Sequence, residues 1–324
     1  MTDDEFLELM RRADPGRTVR DDRTESEVQA ELERIVGTPA RAGRRWAWLA
    51  LPAAAVLLLT LFVVQPWQGG GTPAHAATPA LLQIAPIDAD LNQVLARARQ
   101  QLAAEPDRPA ERRSDSEGWY LETEIDEAER TTSVVAPQVT LVEWNQDLSG
   151  RIRVTAGEAY LPGDGRHYPP ADAAAPPAGT VLLDDRFPAG GMPLIFPQEP
   201  PAATEPMRSY LEAGGAVPAE GAMSYVSAVK SLLNEWTPSP RQQATLLQLI
   251  GGFDEVEVAG ETVDRLGRPA IALHIASPGT PYWEYLLLIG RDSGRILALE
   301  DIYVGGIAGF DLPAPAVASY RAWR

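Results

Sequence analysis

Three histidines, His75, His167 and His274, are the side chains best suited to moving protons near neutral pH, and the sequence scatters them. His75 stands in a stretch of small residues and His167 in a proline-rich segment. His274 alternates with Ile271, Leu273 and Ile275, which marks a packed or hydrogen-bonded strand residue rather than a base. Ser224, in Gly221-Ala222-Met223-Ser224-Tyr225, comes one residue too late for a nucleophile elbow. No zinc-protease helix motif, phosphate-binding loop or dinucleotide fingerprint occurs. The chain has no cysteine, which excludes thiol chemistry, iron–sulfur clusters and Cys-based zinc sites.

Carboxylates are the remaining candidates. Asp88, Asp90 and Asn92 imitate the opening of a calcium loop, but Gln93 occupies the position that needs Gly and Arg99 the one that needs a bidentate Glu. They suit a helix cap and first turn better. Glu122, Glu124 and Asp126 share one face of an expected strand, followed by Glu127 and Glu129; a solvated face explains them more simply than a divalent cation. Asp184-Asp185-Arg186 is placed in a loop and matches no site. No catalytic, cofactor-binding or metal-ligating residue is assigned, no cofactor is expected, and the chain is expected not to be an enzyme.

The stretch that organises the rest is Trp46–Val64, nineteen consecutive uncharged residues. At ~1.5 Å per helical residue it approaches the ~30 Å hydrocarbon core of a bilayer. Trp46 and Trp48 at one end and Trp67 at the other suit the headgroup zone. Arg41, Arg44 and Arg45 precede it, and the next basic residue is Arg97. That asymmetry predicts a single-pass anchor over 46–66 held in the lipid bilayer of the cell membrane, amino terminus cytoplasmic and the remainder extracytoplasmic. Ala74-His75-Ala76 resembles a signal-peptidase site, but a 45-residue leader and so long an apolar run favour a retained anchor.

The expected organisation is a cytoplasmic tail over 1–45, the transmembrane helix over 46–66, a stalk over 67–80 and an α+β domain over 81–324. The formal net charge of -17 falls mostly after the tail. An acidic exterior without a basic stripe argues against nucleic acid and anionic lipid headgroups as partners of the outer domain. Of the 28 basic residues, only Lys230 is lysine.

In the tail, Asp3–Arg12 and Glu25–Val36 have the pattern of two short amphipathic helices. Beyond the stalk, a helix is predicted over Asp88–Ala104, then a charged exposed segment over Glu105–Glu117. An alternating strand follows from Trp119, with neighbours at Val139–Trp144 and Arg151–Thr155. Residues 162–206 form a Pro/Gly/Ala-rich insertion, with a strand-like patch only at Val181–Leu183. Helices are predicted over Met223–Trp236 and after Ser239-Pro240-Arg241-Gln242, a capping-box start that ends at Gly251-Gly252. Strands are expected over Val256–Val263, Ile271–Ile275, Tyr282–Ile289 and Arg295–Val304, the last two joined by Arg291-Asp292-Ser293-Gly294. That hairpin is apolar on both faces, so both should be covered, one by helices and the other by protein or a ligand.

Several of these features together resemble an uncharacterised family of single-pass actinobacterial membrane proteins often found near extracytoplasmic-function sigma factors. The resemblance rests on the order of weak motifs: Arg12-Ala13-Asp14-Pro15, the stalk Ala76-Ala77-Thr78-Pro79, the helix–Gly-pair–strand of Leu249–Val258, Asp264-Arg265-Leu266-Gly267-Arg268 and the Asp292–Leu297 hairpin. It implies an outer domain similar to the curved antiparallel sheets of lipoprotein carriers and envelope-stress sensors, packed on helices. The tail lacks the His/Cys zinc motif of many anti-sigma factors.

Three functional expectations follow. The first is a binding module whose sheet, packed on helices 223–250, offers its free face to a hydrophobic ligand or envelope protein. The second is a transmembrane regulator whose tail contacts a cytoplasmic protein such as a sigma factor. The third, a hydrolase, requires two acids of the insertion facing each other across a pocket.

Overall fold

In a computed structural model, residues 78–121, 135–162, 175–276, 279–307 and 312–324 are described, all within the unit Ala53–Arg324. The tail, the apolar run over 46–66, His75, His167, the acids from Glu122 to Glu129 and residues 163–174 of the insertion lie outside them. Among the described residues no helix is long and apolar enough to cross a membrane.

The chain is α+β. Helix α1 (Leu91–Ala104) starts where the carboxylate series led: Asp90 caps it, accepting from Gln93 N at 2.8 Å, and the Gln93 side chain returns to Asp90 N. The calcium-loop imitation is therefore a capping box. Strands β1 (Arg113–Tyr120), β2 (Gln138–Trp144), β3 (Gly150–Ala156) and β4 (Val181–Phe187) come next. Helices α2 (Thr204–Ala213), α3 (Gly221–Leu233) and α4 (Pro240–Ile250) follow. The chain ends in β5 (Val256–Val263), β6 (Pro269–Ala276), β7 (Trp283–Gly290), β8 (Ile296–Tyr303) and β9 (Ala316–Trp323). The Ser239–Gln242 capping box of α4 forms as the sequence indicates.

Among the described residues these strands make one antiparallel sheet in the order β4-β3-β2-β1-β9-β8-β7-β6-β5. Carboxyl-terminal β9 sits at its centre and joins two meanders, so the first half of the domain cannot complete its sheet without the last eight-residue strand. One face packs on the helices. Leu273, Ile275, Leu287, Ile289 and Leu299 meet Leu246, Leu247 and Ile250 of α4 and Val226, Val229 and Leu233 of α3 in the main core. The edge of β5 is closed by an extended lead: Ala85 bridges Glu261 in both directions at 2.8 Å, and Thr262 Oγ1 donates to Gln83 O.

The opposite face of the β7–β8 hairpin is covered by the protein itself. Leu286, Ile302, Val317, Trp119, Tyr160 and Val135 form one cluster there. Ala270, Ala272, Leu288, Ala298, Leu82 and Ile84 form another. Both faces of the hairpin are thus covered as its composition demanded, but that second covering is protein, and the expected free face is not open at these strands. Two further expectations are corrected. The charged stretch Glu105–Glu117 is mostly exposed as far as Arg113, but its end is not: Arg113–Tyr120 is an interior strand with Ser114, Ser116 and Glu117 buried. The insertion also contains a seven-residue strand that takes in Asp184-Asp185-Arg186, and the start of α2.

Candidate functional site

On the helix-bearing face, one register row runs across four strands: Tyr285 of β7, Asp301 of β8, Ser319 of β9 and Tyr120 of β1. These four side chains, with Trp283, Leu121 and Ala318, line an open groove of about 450 Å³. Its size is in the range of small-ligand clefts. An irregularity in the β8–β9 ladder beside Asp301 and Ile302 helps shape it, an extra residue in one strand being the usual way a sheet re-aims its side chains.

The groove combines aromatic walls with a charged floor. Trp283 and Tyr285 are half-buried, and Trp283 packs against Tyr303 at 5.4 Å between ring centroids. Tyr285's hydroxyl engages Ser227 of α3; burial, followed by the nearby Asp301 charge, pushes its pKa up to about 12, so it stays a neutral phenol. Lys230 of α3 reaches down to the row, donating to Asp301 Oδ2 at 2.8 Å and to Ser319 Oγ at 3.4 Å. Its ammonium also lies 5.8 Å from the centre of the Tyr120 ring. Ser319 Oγ in turn donates to Asp301.

One step along the strands, the next row is Leu287, Leu299, Arg321 and Gly118. Arg321 is only 5% exposed. It donates to Ser116 Oγ at 3.1 Å, Thr140 Oγ1 at 3.2 Å and Tyr120 Oη at 2.5 Å, and its guanidinium stands 5.3 Å from the Tyr120 ring. Gly118 leaves it room, since a Cβ there would come within 3.0 Å of Arg321 Cζ. Among the described residues no carboxylate lies within ion-pair distance of this buried cation, and its Nε has no hydrogen-bond partner.

A second cavity of about 580 Å³ lies at the β1–β4 end, lined by Arg112, Arg113, Glu143, Arg151 and Arg186. Its charges are largely committed: Arg151 makes a bidentate pair with Asp184, and Arg113 lies 3.3 Å from Glu143. Asp184, set in a loop by the sequence reading, is therefore a strand residue holding a cross-strand ion pair. His274 lies on the far face and pairs with Glu284 across β6–β7 at 2.9 Å. Ser224 accepts a hydrogen bond from Val217 N and braces the start of α3. The structure brings neither to the groove.

Sequence reading did not single out Tyr120, Asp301, Ser319 or Arg321, which sit in strands with no polar pattern pointing inward. One signal was present. The only lysine among 28 basic residues is the one at the groove.

No family model matches the chain, and no curated protein matches its sequence. One solved structure is similar in part, described as "The complex structure of Pseudomonas aeruginosa MucA/MucB", at 10% identity and a TM-score of 0.26. The match covers 72% of this chain and 55% of that one, a likeness too faint to carry fold or function.

Proposed function

We propose that this chain is a membrane-anchored, extracytoplasmic binding module, non-catalytic, whose groove receives the apolar part of a hydrophobic ligand or envelope protein. The observation that carries this reading is the half-buried aromatic wall of Tyr120, Trp283 and Tyr285. Among the described residues it lines a concavity on a sheet whose main apolar clusters are covered by the chain's own residues. Aromatic side chains left partly wet beside a concavity gain most from a partner that removes their remaining water contact. The outward placement rests on the arginines before residue 46 and the absence of basic residues from there to Arg97.

The reading is tested by native mass spectrometry of the full chain purified from membranes. An apolar adduct should accompany the protein and be depleted in a Trp283→Ala/Tyr285→Ala double variant that keeps its circular dichroism. Equal adduct in both proteins would remove the groove from consideration.

A second reading, transmembrane regulation through the tail, draws on the amphipathic stretches Asp3–Arg12 and Glu25–Val36 placed before the apolar run. Affinity capture with residues 1–45 should then recover a cytoplasmic regulator reproducibly. Recovery of background proteins alone would leave the binding module without that second function.

A further inference from the structure

We infer that the bulged edge of β5, with the alanine patch behind it, is a strand-docking site filled by the chain's own lead, residues 81–85, and that the partner it fits is the same lead from a second copy. The site lies on the sheet face away from the groove and does not depend on what the groove holds.

The site is shaped to admit a backbone. The β5–β6 register shifts between Val258 and Gly260, and Gly260 has φ +142°, where a side chain would be strained. A Cβ on Gly260 would stand 2.2 Å from Ala85 O and 2.9 Å from Ile84 Cγ2, so the missing side chain is the room the lead occupies. Thr262 Oγ1 donates to Gln83 O at 2.8 Å. Behind them, Ala272, Leu288, Ala298 and Ala322 stand opposite one another across β6–β9, with Ala270 in the same cluster. Alanine is a weak strand former, and its repeated use there leaves depth for larger side chains. Leu82 and Ile84 supply them. Both are half-buried against that patch while Leu81, Gln83 and Ala85 are exposed, the in-and-out period of a strand.

The occupant is held lightly and the site is not. Among the described residues the lead is tied to the sheet by three hydrogen bonds, the pair between Ala85 and Glu261 and the one from Thr262. The alanine patch is carried by β6, β8 and β9, each laddered on both sides, so it keeps its form when the lead departs. Among the described residues 86–89 make no backbone hydrogen bond, and Pro86 and Asp88 are exposed. The segment between the lead and the Asp90 cap is thus free to take another path. What the site recognises is an extended segment, apolar at alternate positions, whose backbone pairs with Glu261 and accepts from Thr262. A second copy carries that segment residue for residue, and mutual exchange closes a two-fold pair without requiring any new complementary surface.

The chain has no cysteine, so introduced thiols report exchange directly. Two differently tagged copies of the full chain, one Ala85→Cys and the other Glu261→Cys, are co-expressed in one cell and oxidised there. Facing residues of an antiparallel pair come close enough for a disulfide after a small shift. A mixed disulfide between the two tags is expected, above the background set by Ala85→Cys with Asn145→Cys, in the β2–β3 turn. Adding Leu82→Ser and Ile84→Ser to the Glu261→Cys copy loosens its own lead and should raise the mixed product. The same two changes in the Ala85→Cys copy should abolish it, with circular dichroism retained in both. A synthetic peptide of residues 80–87 carrying Ala85→Cys is offered to the loosened Glu261→Cys copy in parallel. Mixed product at background, while an Ala85→Cys/Glu261→Cys chain closes on itself, would overturn exchange between copies. Linkage of the peptide in that case would give the site to free extended peptides instead. Failure of the double-cysteine chain to close would overturn the docking geometry itself.

Discussion

Glu235, just past the end of α3, shows how one buried acid can hold a loop. Its Oε1 and Oε2 accept the backbone N–H groups of Ile195 and Phe196 at 2.7 and 2.8 Å, pinning the proline-rich insertion to the helices. Burial pushes its pKa up to about 7 and outweighs the two N–H donors that pull it down. The folded state therefore binds this proton more tightly than the unfolded chain, whose Glu titrates near 4.5. The sign follows by linkage: the contribution is complete below about pH 4.5 and is lost as pH rises through about 7. Burial shifts Glu300 in the same direction. Urea midpoints should accordingly fall between pH 5 and pH 8 with a shallower slope in Glu235→Gln than in the parent. An unchanged slope would show that Glu235 titrates as an ordinary carboxylate. Glu235→Ala leaves two N–H groups without acceptors and should cost about 1–3 kcal/mol at either pH.

At the scale of elements, two motifs prominent in the sequence act as joints. In the β5–β6 turn, Asp264 accepts from Leu266 N and Arg268 N, while Arg268 reaches Trp323 O and Leu297 O and so ties the turn to β8 and β9. Arg265 pairs with Glu300, which is 0% exposed. Breaking that pair with Glu300→Gln should cost about 3–5 kcal/mol, because a buried guanidinium is left uncompensated. Replacing both partners, Arg265→Met with Glu300→Leu, should recover most of the loss, which a double-mutant cycle by urea denaturation measures. The other joint is the β7–β8 hairpin. Gly294 has φ +69°, and a Cβ there would lie 2.2 Å from Ala98 O, so the turn rests directly on α1. Arg295 pairs with Glu105 at the end of that helix. Gly294→Ala should destabilise by about 2 kcal/mol or more, read as a shift in thermal midpoint.

These joints explain what was legible in the sequence. Caps and turns are local: Asp90 with Gln93, Ser239 with Gln242 and the Gly294 turn each state their geometry within four residues. The spacing of Met223, Val226, Val229 and Leu233 likewise gave a helix whose buried face those residues form, whereas Trp236, expected in the same helix, lies past its end at Leu233 and is buried there. The central strand β9 left no such trace. Its groove-side residues include Ser319 and Arg321, which are buried through partners on β1, β2, β8 and α3, far away in sequence. Periodicity sees apolar faces, and polar groups satisfied by distant strands are invisible to it. The groove was missed for that reason, and β1 was taken as exposed for the same one.

For the molecule as a whole, the sheet order makes stability uneven. β9 and β8 lie inside the sheet and most of their residues are buried, whereas β4 is an edge strand with Val181 and three of its charged residues exposed. Amide exchange on the full chain should therefore be slowest in Leu297–Ile302 and Val317–Ala322 and fastest, among strands, in Val181–Phe187. Uniform protection across the strands would contradict this ranking. The far side of the sheet depends on Leu82 and Ile84, and Ile84→Asp should speed exchange in β5 and β6 before it affects β1–β3.

The extended lead along β5 has a mechanical corollary. Among the described residues, the lead that starts at residue 78 is hydrogen-bonded to the sheet through Gln83 and Ala85, whose bonds to Thr262 and Glu261 lie at an outer strand. Tension on that leader is borne first by these few bonds, which can be undone one after another. Pulling there should release Leu82 and Ile84 and uncover the small-residue patch of Ala270, Ala272 and Ala298 while the helical side and its groove remain assembled.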